Sequence, residues 1–229
     1  MRRLLLATML LASALALAAQ TETPEEEKPS FRPAETLSVS NITYPLTSVV
    51  YGTVVLDVLI TEAGKIQRVE VRRDIPSLTQ PAVSAVKEWE FSPATLEEKA
   101  ISSRMPVAVT FCPPAPYADP VPLPPLLPQS QEAIQAEFQP AEVLHAVFPL
   151  PKYPATTLLA GAAVLEVTLS AKGEAEEVKV LRDLPPLTAP AQAVVKDWRF
   201  MPAAFNGKPV PSKTVIVFVA GPLINLPDS

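Results

Sequence analysis

Val69-Glu-Val-Arg-Arg-Asp-Ile-Pro-Ser-Leu-Thr-Gln-Pro81 is echoed by Val178-Lys-Val-Leu-Arg-Asp-Leu-Pro-Pro-Leu-Thr-Ala-Pro190, at a constant offset of 109 residues. The echo runs without a gap in both directions, from Tyr44-Pro45 and Tyr153-Pro154 to Ala94 and Ala203. Gly52, Gly64, Val86, Lys87, Trp89, Phe91 and Pro93 all recur in it. A lead-in repeats as well: Phe31-Arg-Pro-Ala-Glu-Thr-Leu37 returns as Phe138-Gln-Pro-Ala-Glu-Val-Leu144. Self-similarity at a fixed spacing sets the domain plan before any element is assigned. Each copy has about 80 residues, close to the lower limit for a self-sufficient core.

Within each copy the hydrophobic period switches in the same order. Val54, Leu56, Val58 and Ile60 alternate with other residues, as do Ala163, Leu165, Val167 and Leu169, which predicts a half-buried strand. A turn follows at Thr61-Glu-Ala-Gly64 and at Ala171-Lys-Gly173, where glycine supplies the positive φ of a tight hairpin. Val69 and Val71, or Val178 and Val180, then mark a second strand. Ala82, Ala85, Val86 and Trp89 fall at helical spacing, matched by Ala191, Val194, Val195 and Trp198. Thr79 and Thr188 stand where an N-cap belongs, Pro81 and Pro190 fit the first turn, and Pro93 and Pro202 stop the helix. Val107-Ala-Val-Thr-Phe111 and Val215-Ile-Val-Phe218 close each unit. The expected fold class is α+β: two tandem β-β-α-β domains, each a small antiparallel sheet with one helix packed on it.

The expected layout is a signal peptide at 1–19, a disordered leader at 20–30, domain one at 31–112, a proline-rich linker at 113–137, domain two at 138–221 and a tail at 222–229. Met1-Arg-Arg3, the apolar run Leu4 to Leu17 and the small-residue patterns Ala14-Leu-Ala16 and Ala16-Leu-Ala18 carry the export reading, with cleavage near Ala18–Gln20. The apolar run is shorter than the ~20 residues of a membrane span. Residues 113–128 hold Pro113, Pro114, Pro116, Pro120, Pro122, Pro124, Pro125 and Pro128, a semi-rigid spacer.

Composition narrows the chemistry. The net charge is −5, and cleavage of the signal peptide removes Arg2 and Arg3 from 19 basic side chains set against 24 acidic ones. An acidic chain is a poor ligand for nucleic acid or anionic membrane. The single histidine, His145, has no counterpart in copy one, where Ser38 takes its place. One histidine and one cysteine exclude a Cys/His metal site, and no phosphate-binding glycine loop is present. No catalytic constellation and no cofactor motif emerges, so a hydrolase is disfavoured. Cys112 has no internal disulfide partner and is expected to be buried or half-buried at a strand end. The recurring Arg73-Asp74 and Arg182-Asp183 read as a loop ion pair or an Asp-turn before the helix, with a partner contact as the functional alternative. Trp89 and Trp198 read as core.

These residues resemble the TonB C-terminal domain family. Copy one carries Tyr44-Pro45, Gly52-Thr-Val54, Gly64, Val69, Val71, Ala85-Val86, Trp89, Phe91 and Pro93-Ala94. Copy two carries Tyr153-Pro154, Gly161, Leu165-Glu-Val167, Gly173, Val178, Val180, Val194-Val195, Trp198, Phe200, Pro202-Ala203 and an Asn206-Gly-Lys-Pro-Val210 approach to the last strand. Copy one has Leu96-Glu-Glu-Lys-Ala100 there instead, and in both copies Arg-Asp-Ile/Leu-Pro replaces the family's Ser-Gly turn before the helix.

The resemblance implies an exported, non-enzymatic binding module in the periplasm or outside the cell. Its partner would be a peptide or protein of the cell envelope, such as an outer-membrane receptor, taken by addition to an open sheet edge. The implied edge is the last strand of each copy: Val107, Val109 and Phe111, and Val215, Val217 and Phe218. Two alternatives stand beside this. One is a membrane-anchored energy transducer, which the ~11 residues between signal and copy one disfavour, since they reach at most ~40 Å. The other is a pseudo-dimer in which the two last strands pair with each other and hide their edges.

Overall fold

The computed structural model describes residues 30–45, 48, 50–112, 123–149 and 160–221. The expected signal peptide, most of the leader, the first part of the linker, Tyr153, Pro154 and the tail lie outside the described residues. Copy one runs β1 (Phe31–Arg32), β2 (Glu35–Ser38), β3 (Gly52–Ile60), β4 (Ile66–Arg73), α1 (Pro76–Val86), β5 (Glu90–Ser92), β6 (Ala94–Leu96), β7 (Lys99–Ile101) and β8 (Ser103–Phe111). A short helix α2 (Gln131–Gln135) precedes copy two. That copy runs β9 (Phe138–Gln139), β10 (Glu142–His145), β11 (Gly161–Leu169), β12 (Ala175–Arg182), α3 (Thr188–Val195), β13 (Arg199–Met201), β14 (Ala203–Phe205), β15 (Lys208–Val210) and β16 (Ser212–Ala220).

The β-β-α-β core of each copy is present, so the α+β class holds. Short strands elaborate it: the lead-ins β2 and β10 pair with β5 and β13, and small three-stranded sheets form around β6 and β14. The two main sheets then merge into one of six strands, in the order β12-β11-β16-β8-β3-β4. The join is the parallel pair β16·β8, with Val215 opposite Val107, Val217 opposite Val109 and Val219 opposite Phe111. All other neighbours in this sheet are antiparallel.

Parallel pairing of two equivalent strands turns the copies over relative to each other, so their helices cover opposite faces. Alternate side chains of the joined strands therefore enter different cores. Val107, Val109, Phe111, Val215, Val217 and Val219 pack with α1 residues Leu78, Ala82 and Val86. Ala108, Ile216 and Phe218 pack with α3 residues Ala191 and Val195. The joined strands are thus buried on both faces, which is why Met105 to Val109 and Val215 to Ala220 are apolar and do not alternate.

Two local details differ from the sequence expectation. Helix α1 begins at Pro76, one turn earlier than Thr79, with Ile75 at its N-cap. Thr79 sits inside the first turn, where its hydroxyl donates to Asp74 Oδ1 at 2.6 Å and accepts from the Ile75 N–H at 3.0 Å. It serves the same capping purpose from within the helix, and Pro81 moves to the helix interior. In copy two, Thr188 is the first helical residue and its hydroxyl accepts from the Leu184 N–H at 2.8 Å, so Pro190 does lie in the first turn. The glycine turns are as expected. Gly64 has φ +73°, and a Cβ there would stand 2.4 Å from the Phe91 carbonyl oxygen, so glycine is demanded twice over.

Candidate functional site: sheet edges and the seam between the copies

The residues expected to form an open edge lie in the middle of the sheet. Val107, Val109, Phe111, Val215, Val217 and Phe218 are all fully buried. β8 is bonded on one side to β3 and on the other to β16, and β16 to β11 and β8. The ladder continues past the strand end, where the Cys112 N–H donates to the Val219 carbonyl at 2.8 Å. The placement of the free edge on these strands is therefore corrected. The physical reason is the apolarity of both their faces: alone, each copy would present a long, flat, hydrophobic edge, the kind that folded chains cover.

The family-motif residue Tyr44 supports the same seam. Its ring meets Phe111 edge-on at 5.4 Å, and its hydroxyl donates to the Val50 carbonyl at 2.6 Å. Burial pushes its phenol up to about 12. Gly221, at the end of β16, fits against the Tyr44 ring so closely that a Cβ would stand 2.7 Å from Cγ. The Pro45 carbonyl accepts from the Ser48 N–H at 3.0 Å. Cys112 is half-buried, as expected; its thiol is directed to the Thr110 carbonyl at 3.9 Å, and burial pushes the thiol up from its ordinary value.

Two buried ionic clusters flank the seam, one on each face, and they are repeat equivalents. In copy one, Asp57 on β3 meets Arg104 on β8 at 2.7 Å, both nearly inaccessible to water, and Arg104 also binds Glu70 on β4. In copy two, Glu166 on β11 meets Lys213 on β16 at 3.0 Å. The copy-two cluster reaches the lead-in of copy one, and the copy-one cluster reaches the linker at α2. Glu166 Oε2 accepts the main-chain N–H of Thr36 at 2.7 Å, and Lys213 binds Glu35 at 2.7 Å. Glu70 accepts from Ser130 at 2.9 Å, and Arg68 binds Glu132 at 3.0 Å.

The electrostatics follow from these contacts. Burial pushes Asp57 up to about 6 despite Arg104 beside it. Burial works the same way on Glu70, but the bonds from Ser130 and Arg104 outweigh it and hold that carboxyl below its usual range. The Lys213 ammonium holds Glu35 low. Lys213 itself is raised, because its bonds to Glu35 and Glu166 outweigh its burial. Nothing in the alternating pattern of the strands announces these charges. The available signal was an acid in the first strand and a base at the start of the last, recurring at the same offset of 109.

The outer edges of the joined sheet are β4 and β12. The β4 edge is covered by the chain's own linker. The Leu127 N–H donates to the Arg72 carbonyl at 2.8 Å, the Arg72 guanidinium returns a bond to the Leu127 carbonyl, and Arg73 binds the Pro124 carbonyl. Arg73 also donates to the Val143 carbonyl of copy two at 3.0 Å. So Arg73 and Asp74 do not pair with each other: the arginine holds linker and lead-in, and the aspartate accepts from Thr79. The equivalent β12 edge has no such cover among the described residues. Glu176, Glu177, Lys179, Val180 and Arg182 on it are exposed, as is Asp183 just after it.

Nothing in the described residues suggests a reaction centre. His145 is exposed on β10 opposite Arg199. Trp89 and Trp198 are core residues, the latter donating from Nε1 to the Val147 carbonyl at 3.0 Å. A cleft of about 600 Å³ lies between the copies, lined by Leu59, Ile101, Glu132, Glu137, Phe138 and Phe205 among others. Its lining also includes Glu62, Ser102, Ser103 and Arg104. Among the described residues no cluster of three potential metal ligands occurs, and no helix is long and apolar enough to cross a membrane.

Comparison with known proteins agrees with this architecture. The family model of the Gram-negative bacterial TonB protein C-terminal domain matches residues 48–113 and again 149–219, together more than half of the chain. No curated protein and no solved structure matches. That family is a protein-interaction domain of the bacterial envelope. The chain belongs to the TonB C-terminal family and carries its domain twice.

Proposed function

We propose that the protein is a non-enzymatic, exported binding module of the cell envelope that takes an extended segment of a protein partner on the open edge of β12. The carrying observation is the asymmetry of the outer edges. β4 is already engaged by the linker, through one main-chain bond from Leu127 to Arg72 and the side chains of Arg72 and Arg73, whereas β12 presents its outward N–H and C=O groups without a described partner. Strand addition there would supply main-chain hydrogen bonds, with specificity from the exposed side chains of Glu177, Lys179 and Val180. The Leu127 bond to the Arg72 carbonyl on β4 is one instance of main-chain contact at the repeat-equivalent edge.

The last strands, with Val107, Val109, Phe111, Val215, Val217 and Phe218, serve in this reading as the joint that fixes the two copies. A photo-reactive residue placed at position 177 in the natively exported protein should capture an envelope protein. The same residue at the buried position 109 should capture none. Capture from neither position, with the protein folded, would contradict binding at this edge.

A further inference from the structure

The side chains along β12 are ordered in a way that fits one occupant. Reading from Ala175 to Arg182, the acids Glu176 and Glu177 precede the bases Lys179 and Arg182. Glu174, just before the strand, extends the acidic half. A strand whose first half is acidic and second half basic is complementary to itself when turned antiparallel. We propose that the partner taken by β12 is β12 of a second copy of this chain, giving a two-fold dimer with one continuous sheet of twelve strands. This rests on the reading of β12 as the interaction edge.

Symmetry and charge select the register. In a two-fold antiparallel pair, each residue faces one of the same parity, so the axis passes through a residue. With the axis at Val178, Glu177 faces Lys179 of the other copy and Lys179 faces its Glu177. Val178 faces itself and no like charges meet; Glu174 and Arg182 lie beyond the register shifts at 175–177 and 180–182 and extend the same charge order at the two ends. An axis at Lys179 sets that lysine against itself, and an axis at Glu177 sets two glutamates together. Only the Val178 register pairs both halves favourably, and directly opposed charges are the ones that count in a sheet.

The surroundings allow this arrangement. Val178 is half-buried against the α3 side and gains cover from its counterpart, with the 37% exposed Val180 diagonal to it. Lys179 lies opposite Glu166 across β11 and is drawn toward Glu35, both acidic, so a further carboxylate from Glu177 of the second copy joins an existing alternation of charge. The β4 edge is not free in the same way, because the linker and α2 contact Arg68, Glu70, Arg72 and Arg73 along it. A single eight-residue edge pair is a small interface, so the dimer is expected to be concentration-dependent.

The test is sedimentation equilibrium on the full mature chain, with charge reversals at the edge. The wild type should show a monomer–dimer equilibrium within the micromolar range. Glu177→Lys and Lys179→Glu should each weaken it about tenfold or more, since each sets two like pairs face to face. The two variants mixed should dimerise with each other, and Glu177→Lys/Lys179→Glu should dimerise alone. Circular dichroism confirms that each variant folds, and the mixture and the double variant keep the test decisive if one single variant does not. A wild type that dimerises regardless of both reversals overturns the interface. A wild type that stays monomeric overturns self-pairing. In that case, capture of another envelope protein from position 177 preserves the edge itself, and no capture removes both readings.

Discussion

Arg104 is the side chain whose loss the fold would tolerate least. It is buried between Asp57 and Glu70, and removing one partner of a buried ion pair leaves an uncompensated charge in the interior. Arg104→Ala is expected to cost about 3–5 kcal/mol in chemical denaturation. Asp57 gives the pH signature. Its carboxyl is raised from 3.8 to about 6, so the folded state holds this proton more tightly than the unfolded chain does. The stabilisation from that proton is complete below about pH 3.8 and is lost as pH rises through about 6. Glu70 and Glu35, both held low, act in the opposite sense and are lost as pH falls. Urea titrations of wild type and Asp57→Asn should isolate the first effect: between pH 4 and 6 the wild type should lose stability relative to the variant as pH rises. A difference that is flat or of opposite sign would mean that Arg104, not burial, governs Asp57. Of these residues only the repeat positions were legible in sequence. A charge inside an apolar strand reads as a surface position until its partner on a distant strand is known.

At the scale of elements, the hairpins and helices were legible because each is a local pattern. Alternation gave β3 and β11, a glycine at positive φ gave the turn, and helical spacing gave α1 and α3. The start of α1 was misplaced by one turn because a threonine can cap from inside the helix through Asp74 and Ile75 as well as from its end. The turn itself is testable. Gly64→Ala adds a Cβ against the Phe91 carbonyl at a left-handed φ, and should cost about 1–3 kcal/mol in thermal or urea unfolding. The linker on β4 gives a second test. Arg72→Ala removes the guanidinium bond to the Leu127 carbonyl while leaving the strand's main chain intact. Limited proteolysis between residues 123 and 130 should then proceed faster than in wild type, with the six-stranded sheet otherwise protected.

At the scale of the whole molecule, the two copies are halves of one sheet. The burial of β8 and β16 on both faces was written in their apolar runs, Met105 to Val109 and Val215 to Ala220, but an apolar run does not say which strand lies beside it. That information is non-local: it resides in lead-in one, which crosses to the ionic cluster of copy two, in Arg73, which binds lead-in two at Val143, and in the Tyr44–Gly221 contact. A single copy should therefore fare poorly alone. Residues 31–112 expressed without copy two would expose β8 and the Ala108 side of the sheet, and should self-associate or aggregate where the full chain remains dispersed, as light scattering would report.

The central claim is that the last strands pair with each other and leave β12 as the open edge, and residue-resolved hydrogen exchange on the dilute monomeric protein tests it most directly. The account requires slow exchange along 107–111 and 215–219 with no partner present, on both sides of each strand, and fast exchange at alternate amides of 176–182. Fast exchange at alternate amides of 107–111 and 215–219 would show these strands to be open edges, and would contradict the joined sheet and the functional reading built on it.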